Sequence, residues 1–473
     1  MFKFFKKGLN SSNILNIINQ PPRSERLQIL WYLLKWFFLC APIGLIVGSV
    51  VALFLWMLNS AIFLRFSNAY LLYLLPFAGI AIHFMYKFLG KSSEKGNNLI
   101  MDEIHQPGGG VPPQMAPLVL LTTVMTHLFG GSAGREGTAV QIGGSIAQLL
   151  GKWFKLSKAD VKTLLMAGVA AGFGAVFGTP LTGAIFAIEV LALGKLKYDA
   201  IVPCLFASII GDFAVSAWGL SHTHYHIDFV ENKTFFLSGF LHWDLILIFK
   251  IILAAVVFGL ASYLFATMVH RIKAVFNMFF KVTWLIPFFG GITIILLTFL
   301  VGKPDYLSLG INPEYQGAVT VVSAFKAGGA DMFSWLWKTV FTTVTLGTGF
   351  KGGEVTPLFY IGATLGNSLA SLMDAPIGLF AALGFIAVFA GATNTPLACT
   401  FMGVELFGGQ YVLFFAIACF TAYFFSGHSG IYGSQRIGVP KLLNAGVEEN
   451  QTLKEIEDRK DGFFKKKIEK YRV

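Results

Sequence analysis

Apolar stretches dominate the chain and polar positions punctuate it. Seven uncharged runs stand out: Trp36 to Leu64, Thr163 to Ile188, Ile251 to Val269, Val282 to Gly302, Val355 to Met373, Ala375 to Val404 and Leu406 to Gly427. Each is long enough as a helix to cross the ~30 Å hydrocarbon layer of a bilayer. The pattern predicts a polytopic, all-α membrane protein. The first run is too long for a cleavable signal peptide, and no small-residue cleavage site and soluble body follow it.

The punctuation is informative in itself. GGSAG before Arg135 and TLGTGFKGG before Glu354 are glycine-rich leads that break one helix just ahead of the next apolar run. Thr179 before Pro180 and Thr395 before Pro396 fit an N-cap followed by proline in the first helical turn. Helices are therefore expected to begin inside the hydrocarbon depth, where unwound backbone is tolerated only against protein or a water-filled path. Each such N-terminus presents unpaired N–H groups and about half a positive charge, and several converging on one point would bind an anion.

The breaks recur. TPLTGAIFAIE, Thr179 to Glu189, matches TPLACTFMGVE, Thr395 to Glu405, with Thr-Pro-Leu opening and glutamate closing both. Laying Glu136 on Glu354 aligns REGTAVQIGG with GEVTPLFYIGA at nearly the same offset. Two matches at one offset indicate two homologous halves, divided within Ser221 to Asn232. The organisation read from this is a terminal segment 1–29, repeats 30–230 and 231–441, and a short basic tail 442–473. Ionisable groups repeated at such depth are functional-site candidates.

Composition sharpens the picture: 55% of residues are hydrophobic, 13% charged, and the mean hydropathy is +0.67, outside the usual range of soluble domains. Lysine and arginine outnumber acids by 36 to 25, with the excess in MFKFFKKG, PPRSER and RKDGFFKKKIEKYR at the two ends. By the positive-inside tendency both termini face the cytoplasm, beside anionic lipid rather than nucleic acid. Cys40, Cys204, Cys399 and Cys419 lie in apolar segments without paired spacing and read as small buried hydrophobes.

Four motifs in order resemble the CLC anion channels and transporters, and within them the fluoride branch, over about residues 30 to 441. GREGT, Gly134 to Thr138, is similar to the gating-glutamate motif, with the fluoride-branch threonine where chloride members usually have proline. GGEVTP, Gly352 to Pro357, resembles the opposing anion loop, where chloride members commonly carry an aliphatic residue at the place of Glu354. GNNLI, Gly96 to Ile100, puts Asn97 in the slot of the family's central serine, and SGHSGIYGSQ supplies Tyr432 at the place of its central tyrosine. GGGVPP, Gly108 to Pro113, imitates the serine motif but lies too near Glu136 to leave room for the intervening helix and loop.

The resemblance implies a fold of two inverted-topology repeats of broken helices, a homodimer, and Glu136 as a carboxylate that competes with the anion for its site. Fluoride is small and strongly hydrated, so stripping its water demands several close donors. The candidates are backbone groups of Gly134, Arg135, Gly137, Thr138, Gly353 and Val355, with Thr356, the Asn97 amide and the Tyr432 hydroxyl. Arg135 reads as a local counter-charge or a phosphate-level anchor. Chloride/proton exchangers of the family carry a second glutamate directly after the equivalent of Glu189; here that position is Val190, which leaves Glu354 as the substitute proton-transfer group. Glu189 and Glu405 read as structural carboxylates accepting N–H bonds near helix ends.

The expected function is thus fluoride export in exchange for protons, across a bacterial cytoplasmic membrane, without a cofactor or metal. A chloride channel or chloride/proton exchanger of the same fold is the alternative; it leaves Asn97 and Glu354 without a purpose. A membrane metalloenzyme is suggested only by SHTHYH, with His222, His224 and His226 at alternate positions, and neither HExxH nor a neighbouring cysteine accompanies it. GKSS at Gly90 has Met85 where a phosphate-binding loop requires glycine, so transport should be secondary rather than ATP-driven.

Overall fold

The computed structural model describes residues 24–223, 225–229, 244–442 and 446–459. The basic ends 1–23 and 460–473 and the boundary between the two expected repeats at 230–231 lie outside them. Five helical segments among the described residues are long and apolar enough to cross a membrane by length and composition: Glu25–Ser67, Ala69–Lys95, Lys158–Phe177, Tyr198–Ala217 and Leu245–Phe279. Shorter apolar helices pack among them.

The helices come in two series. The first is α1 (Glu25–Ser67), α2 (Leu75–Met85), α3 (Asn97–His105), α4 (Met115–Leu128), α5 (Glu136–Trp153), α6 (Lys158–Phe177), α7 (Pro180–Glu189) and α8 (Ile201–Ala217). The second is α9 (Leu245–Phe279), α10 (Leu285–Val301), α11 (Ser334–Gly347), α12 (Val355–Met373), α13 (Ile377–Thr393), α14 (Pro396–Phe407) and α15 (Val412–Phe425). A short 3-10 turn, Ser323–Phe325, stands where α3 would recur.

The two series run in opposite directions. Near the start of α1 the Tyr32 hydroxyl donates to the Asp199 carbonyl at 2.8 Å, and close by in sequence Lys195 pairs with Glu449, so this face carries both ends of the described chain. The counterpart α9 arrives at that face: Lys250 near its start donates to the Asp374 carbonyl at the far end of α12, whereas His270 near its end lies 3.5 Å from Glu457.

Two of the long apolar runs are each split as their punctuation predicts. Thr163 to Ile188 breaks at Gly178 (φ 70°) and Ala375 to Val404 at Asn394 (φ 58°); both are left-handed residues that stop a helix one position before the Thr-Pro pair. Thr179 and Thr395 do hold the N-cap positions, but neither side chain caps. The orphan N–H groups go instead to carboxylates of the opposite series. Glu405 accepts from Leu181 N and Thr182 N at 2.9 and 2.8 Å and from the Thr182 hydroxyl; Glu189 accepts from Leu397 N and Ala398 N at 3.0 and 2.7 Å. Each half thus caps a helix of the other, which satisfies donors that lipid cannot. Glu405→Ala is expected to lower stability by about 2–4 kcal/mol by orphaning three donors at once, read as a lower melting temperature in detergent; an unchanged melting point would refute the cross-cap.

Close backbone approach is repeated as well. A Cβ on Gly143 would strike the Gly168 carbonyl and one on Gly168 the Gly143 carbonyl; Gly362 and Gly384 block each other in the same way in the second series. These pairs let α5 lie against α6 and α12 against α13 at backbone distance.

The C-terminal segment is more than a polar tail. Residues 446–459 fold back onto the body: Ile437 N donates to Gln451 O at 2.8 Å, Leu453 N to Gln435 O and Lys454 N to Gly433 O at 3.0 Å each. Leu453 and Ile456 pack on Leu193 and Ile437, beside the parallel pairing of Ala192–Leu193 with Arg436–Ile437. This clasp flanks the segment that carries Tyr432.

Candidate functional site

The two glycine-rich leads meet in the middle of the protein. Gly134 N donates to Gly353 O at 2.6 Å and Gly353 N to Gly134 O at 2.8 Å, a single antiparallel bridge between the halves. Helix α5 starts directly after it with Arg135 as N-cap, and α12 with Glu354 as N-cap. The helices then diverge: the segment after α5 reaches the face of the chain ends, where Asp160 pairs with Lys35 at 2.8 Å, and α12 ends at Asp374 by the start of α9. Two helix N-termini therefore point at one spot, and their first-turn N–H groups and dipoles favour an anion there.

The bridge corrects the alignment of the halves by one residue. Gly134 opposes Gly353, so Arg135 corresponds to Glu354, and Glu136, the first residue of α5, corresponds to Val355, the first of α12. Laying glutamate on glutamate shifts the register by one residue; the helix starts and the backbone pairing fix it.

The anion at the junction is the Glu136 carboxylate, 1% exposed. One oxygen accepts from Arg135 N and from Thr356 N, each at 3.0 Å, and the other accepts from the Thr356 hydroxyl. Arg135 Nε stands 3.7 Å from the same group and has no hydrogen-bond partner of its own, a geometry that matches a counter-charge. A Cβ on Gly134 would lie 2.8 Å from the carboxylate and 2.9 Å from Gly353 O, so only glycine leaves room for this arrangement. Val355 is buried in the first turn of α12. The Thr138 hydroxyl pairs with that of Thr123 at 2.7 Å.

On the side toward the chain ends, Asn97 and Glu354 approach the bare Cα of Gly137. The Asn97 amide nitrogen lies 3.1 Å, Gly353 Cα 3.2 Å and a Glu354 carboxylate oxygen 3.8 Å from where a Cβ on Gly137 would stand. Asn97 Oδ1 is buried without a hydrogen-bond partner. A small cavity joins Asn97 to Tyr432, walled by Ile104, Val140, Phe186 and Val190. The absence of an acid at position 190 makes this wall apolar. Gln435 anchors the Tyr432 segment, donating to Val190 O and Thr393 O at 2.9 Å each and accepting from Asn394 at 3.0 Å. GGGVPP serves elsewhere: Gly108 N and Gly109 N donate to Glu103, each at 3.0 Å.

A second cavity approaches Glu136 from the opposite side, lined by Arg135, Thr356, Tyr225 and His222. The SHTHYH segment supplies His222 to this lining. The structure divides it: His222 turns inward, its Nε2 3.4 Å from Asp212, while His226 is exposed beside Asp228 at 3.1 Å, and His224 lies outside the described residues. Nothing in the spacing of SHTHYH signals which histidine faces inward; the close fit of His222 against Gly178 (φ 70°) is a tertiary contact. Gln435 and the 446–459 clasp were also missed.

The chain's likeness to known proteins is extensive. The family model for the voltage gated chloride channel matches residues 77–427. A chloride/fluoride channel protein of Pseudomonas syringae pv. tomato is 47% identical over 421 residues, spanning 89% of this chain and 90% of that protein. A H(+)/Cl(-) exchange transporter of Yersinia pestis bv. Antiqua is 23% identical over 67% of this chain and 68% of its own length. Among solved structures, a CLC-type fluoride/proton antiporter superposes with a TM-score of 0.78 at 34% identity, covering 87% of this chain and 99% of that one. A slow cyanobacterial Cl-/H+ antiporter shares the fold at a TM-score of 0.67 and 20% identity. With the inverted helix series, the paired glycine loops and a family model covering most of its length, this chain belongs to the voltage gated chloride channel family, the CLC proteins, which are polytopic helical membrane proteins.

Proposed function

We propose that the chain is a secondary transporter, not an enzyme, that exports fluoride in exchange for protons across a bacterial cytoplasmic membrane, as a homodimer with both termini in the cytoplasm. The observation that carries the reading is the Glu136 carboxylate seated on Arg135 N, Thr356 N and the Thr356 hydroxyl at the meeting of two helix N-termini. An acid in that place and a halide cannot both hold it. Protonation removes the negative charge that holds the carboxylate there, and the vacated donors then suit an anion. Ion and proton exclude one another at one location, which is the minimum needed for exchange in opposite directions.

Fluoride over chloride is supported by Asn97 and Glu354 and by the likeness to a chloride/fluoride channel protein and to a CLC-type fluoride/proton antiporter. Asn97 brings an amide with two N–H donors to the inner side of the junction, and Tyr432 closes the same cavity. Glu354, at the N-cap of α12, supplies a carboxyl where the wall at Val190 has none. Proteoliposomes loaded with fluoride or chloride test the assignment: fluoride efflux should be far faster, and equal rates would reassign the chain as a chloride transporter. Asn97→Ser removes one of two donors and is expected to narrow the fluoride-to-chloride rate ratio by about tenfold, measured with ion-selective electrodes; an unchanged ratio would remove Asn97 from the selectivity account.

A further inference from the structure

A cavity of about 360 Å³ opens between the end of α2 with its following turns and the end of α9 with the start of α10. It has room for roughly ten or more waters. Its lining includes Lys87, Lys273 and Lys351 against the single acid Glu94. His83 also lines it, with its Nε2 3.3 Å from the Thr283 hydroxyl. At the inner end Lys351, half-buried, stands 4.3 Å from the centre of the Tyr86 ring, two residues before Gly353 of the central bridge. Its lining residues differ from those of the cavity of Asn97 and Tyr432.

Its rim is apolar. Phe88 and Leu89 are 74% and 60% exposed beside Lys87, and Met278 and Phe279 are each 71% exposed beyond Lys273. His270 and Glu457 place this end of α9 at the face of the chain ends. Cationic groups recessed between membrane helices, with bulky apolar side chains flanking the entrance at a bilayer surface, form a receptor for an acidic headgroup whose acyl chains stay in the membrane. A free phosphate would satisfy the lysines and leave the apolar rim unused.

We propose that this cavity binds the phosphate of an anionic phospholipid, with Lys87 and Lys273 at its mouth and the acyl chains lying against Phe88, Leu89, Met278 and Phe279. The proposal rests on the membrane placement of the chain and is independent of which halide it carries. Native mass spectrometry of the full chain in detergent, titrated with phosphatidylglycerol or phosphatidylcholine of matched acyl chains, tests it. Phosphatidylglycerol should be retained about 25-fold more strongly, at about fivefold for each of the two mouth lysines. Lys87→Gln with Lys273→Gln should bring that ratio close to one, whereas Lys155→Gln, outside the cavity, should leave it intact. Both mouth lysines are exposed, so the double variant is expected to elute as the wild type does. Equal retention of the two lipids, or full preference in the double variant, would overturn the proposal. Displacement of phosphatidylglycerol by glycerol phosphate at comparable concentration would overturn it too, by making this a site for soluble phosphates.

Discussion

Glu136→Gln is expected to abolish fluoride-driven proton movement, a loss of about 10²-fold or more of the kind seen when a positioned proton-transfer group is removed. The amide cannot titrate. It also cannot serve the junction as the carboxylate does: one oxygen now accepts from Arg135 N and Thr356 N, the other from the Thr356 hydroxyl, and the Arg135 guanidinium faces the pair. An NH2 group in the first place turns a donor toward two backbone N–H groups; in the second place it loses the attraction of the Arg135 guanidinium, while the Thr356 hydroxyl turns to accept from it. The change preserves shape, so the variant should purify as the wild type does. The readout is the pH of the liposome interior under an imposed fluoride gradient; half of the wild-type proton flux in the Gln variant would defeat the gate.

Glu354→Gln carries the second large effect, a fall of about tenfold or more in protons moved per fluoride. Between the junction and the face of the chain ends, the cavity walls are Ile, Met, Val, Phe and Leu side chains with Asn97 and Tyr432, and Val190 offers no acid. Glu354 is the carboxyl beside that route, its oxygen sharing the space over Gly137 with the Asn97 amide. With glutamine there, no carboxyl stands beside that cavity to take a proton leaving Glu136. Fluoride and proton fluxes measured in the same vesicles separate this from simple inactivation: a wild-type coupling ratio in Glu354→Gln would release Glu354 from the proton path.

Much of the fold was written in local signals. Glycine-rich leads and Thr-Pro pairs mark helix starts because they act on backbone conformation directly, and Gly178, Asn394, Pro180 and Pro396 break their runs where those signals stand. What local signals do not encode is the partner. The glutamates closing the two TPL segments are visible as a matched pair, yet that each caps the other half's helix depends on the inverted arrangement of α7 and α14. The same holds for the threonines at the N-caps, whose expected capping bonds are replaced by those carboxylates.

The candidate site divides along the same line. Gly134, Glu136, Gly353 and Thr356 come together because the two breaks lie at equivalent places in the halves, and the sequence displays that equivalence. The register of the two halves differs by one residue from the match of Glu136 with Glu354, because side-chain identity does not report the backbone pairing of Gly134 with Gly353. The inward turn of His222 is not legible in the alternation of histidines, which says nothing about which side chain faces the protein. Residues 446–459, polar and charged, carry no apolar period, and their docking rests on Leu453, Ile456 and backbone bonds to residues 433–437.

The central claim is that fluoride and a proton exclude one another at the Glu136 junction, so that each drives the other across the membrane. The most direct measurement places purified wild-type protein in liposomes with equal pH on both sides and a tenfold fluoride gradient, and follows both ions. The account predicts that fluoride leaving down its gradient moves protons the opposite way until a pH difference builds up against them. Fluoride efflux that reaches equilibrium with no proton movement would contradict it and make the pathway an uncoupled channel.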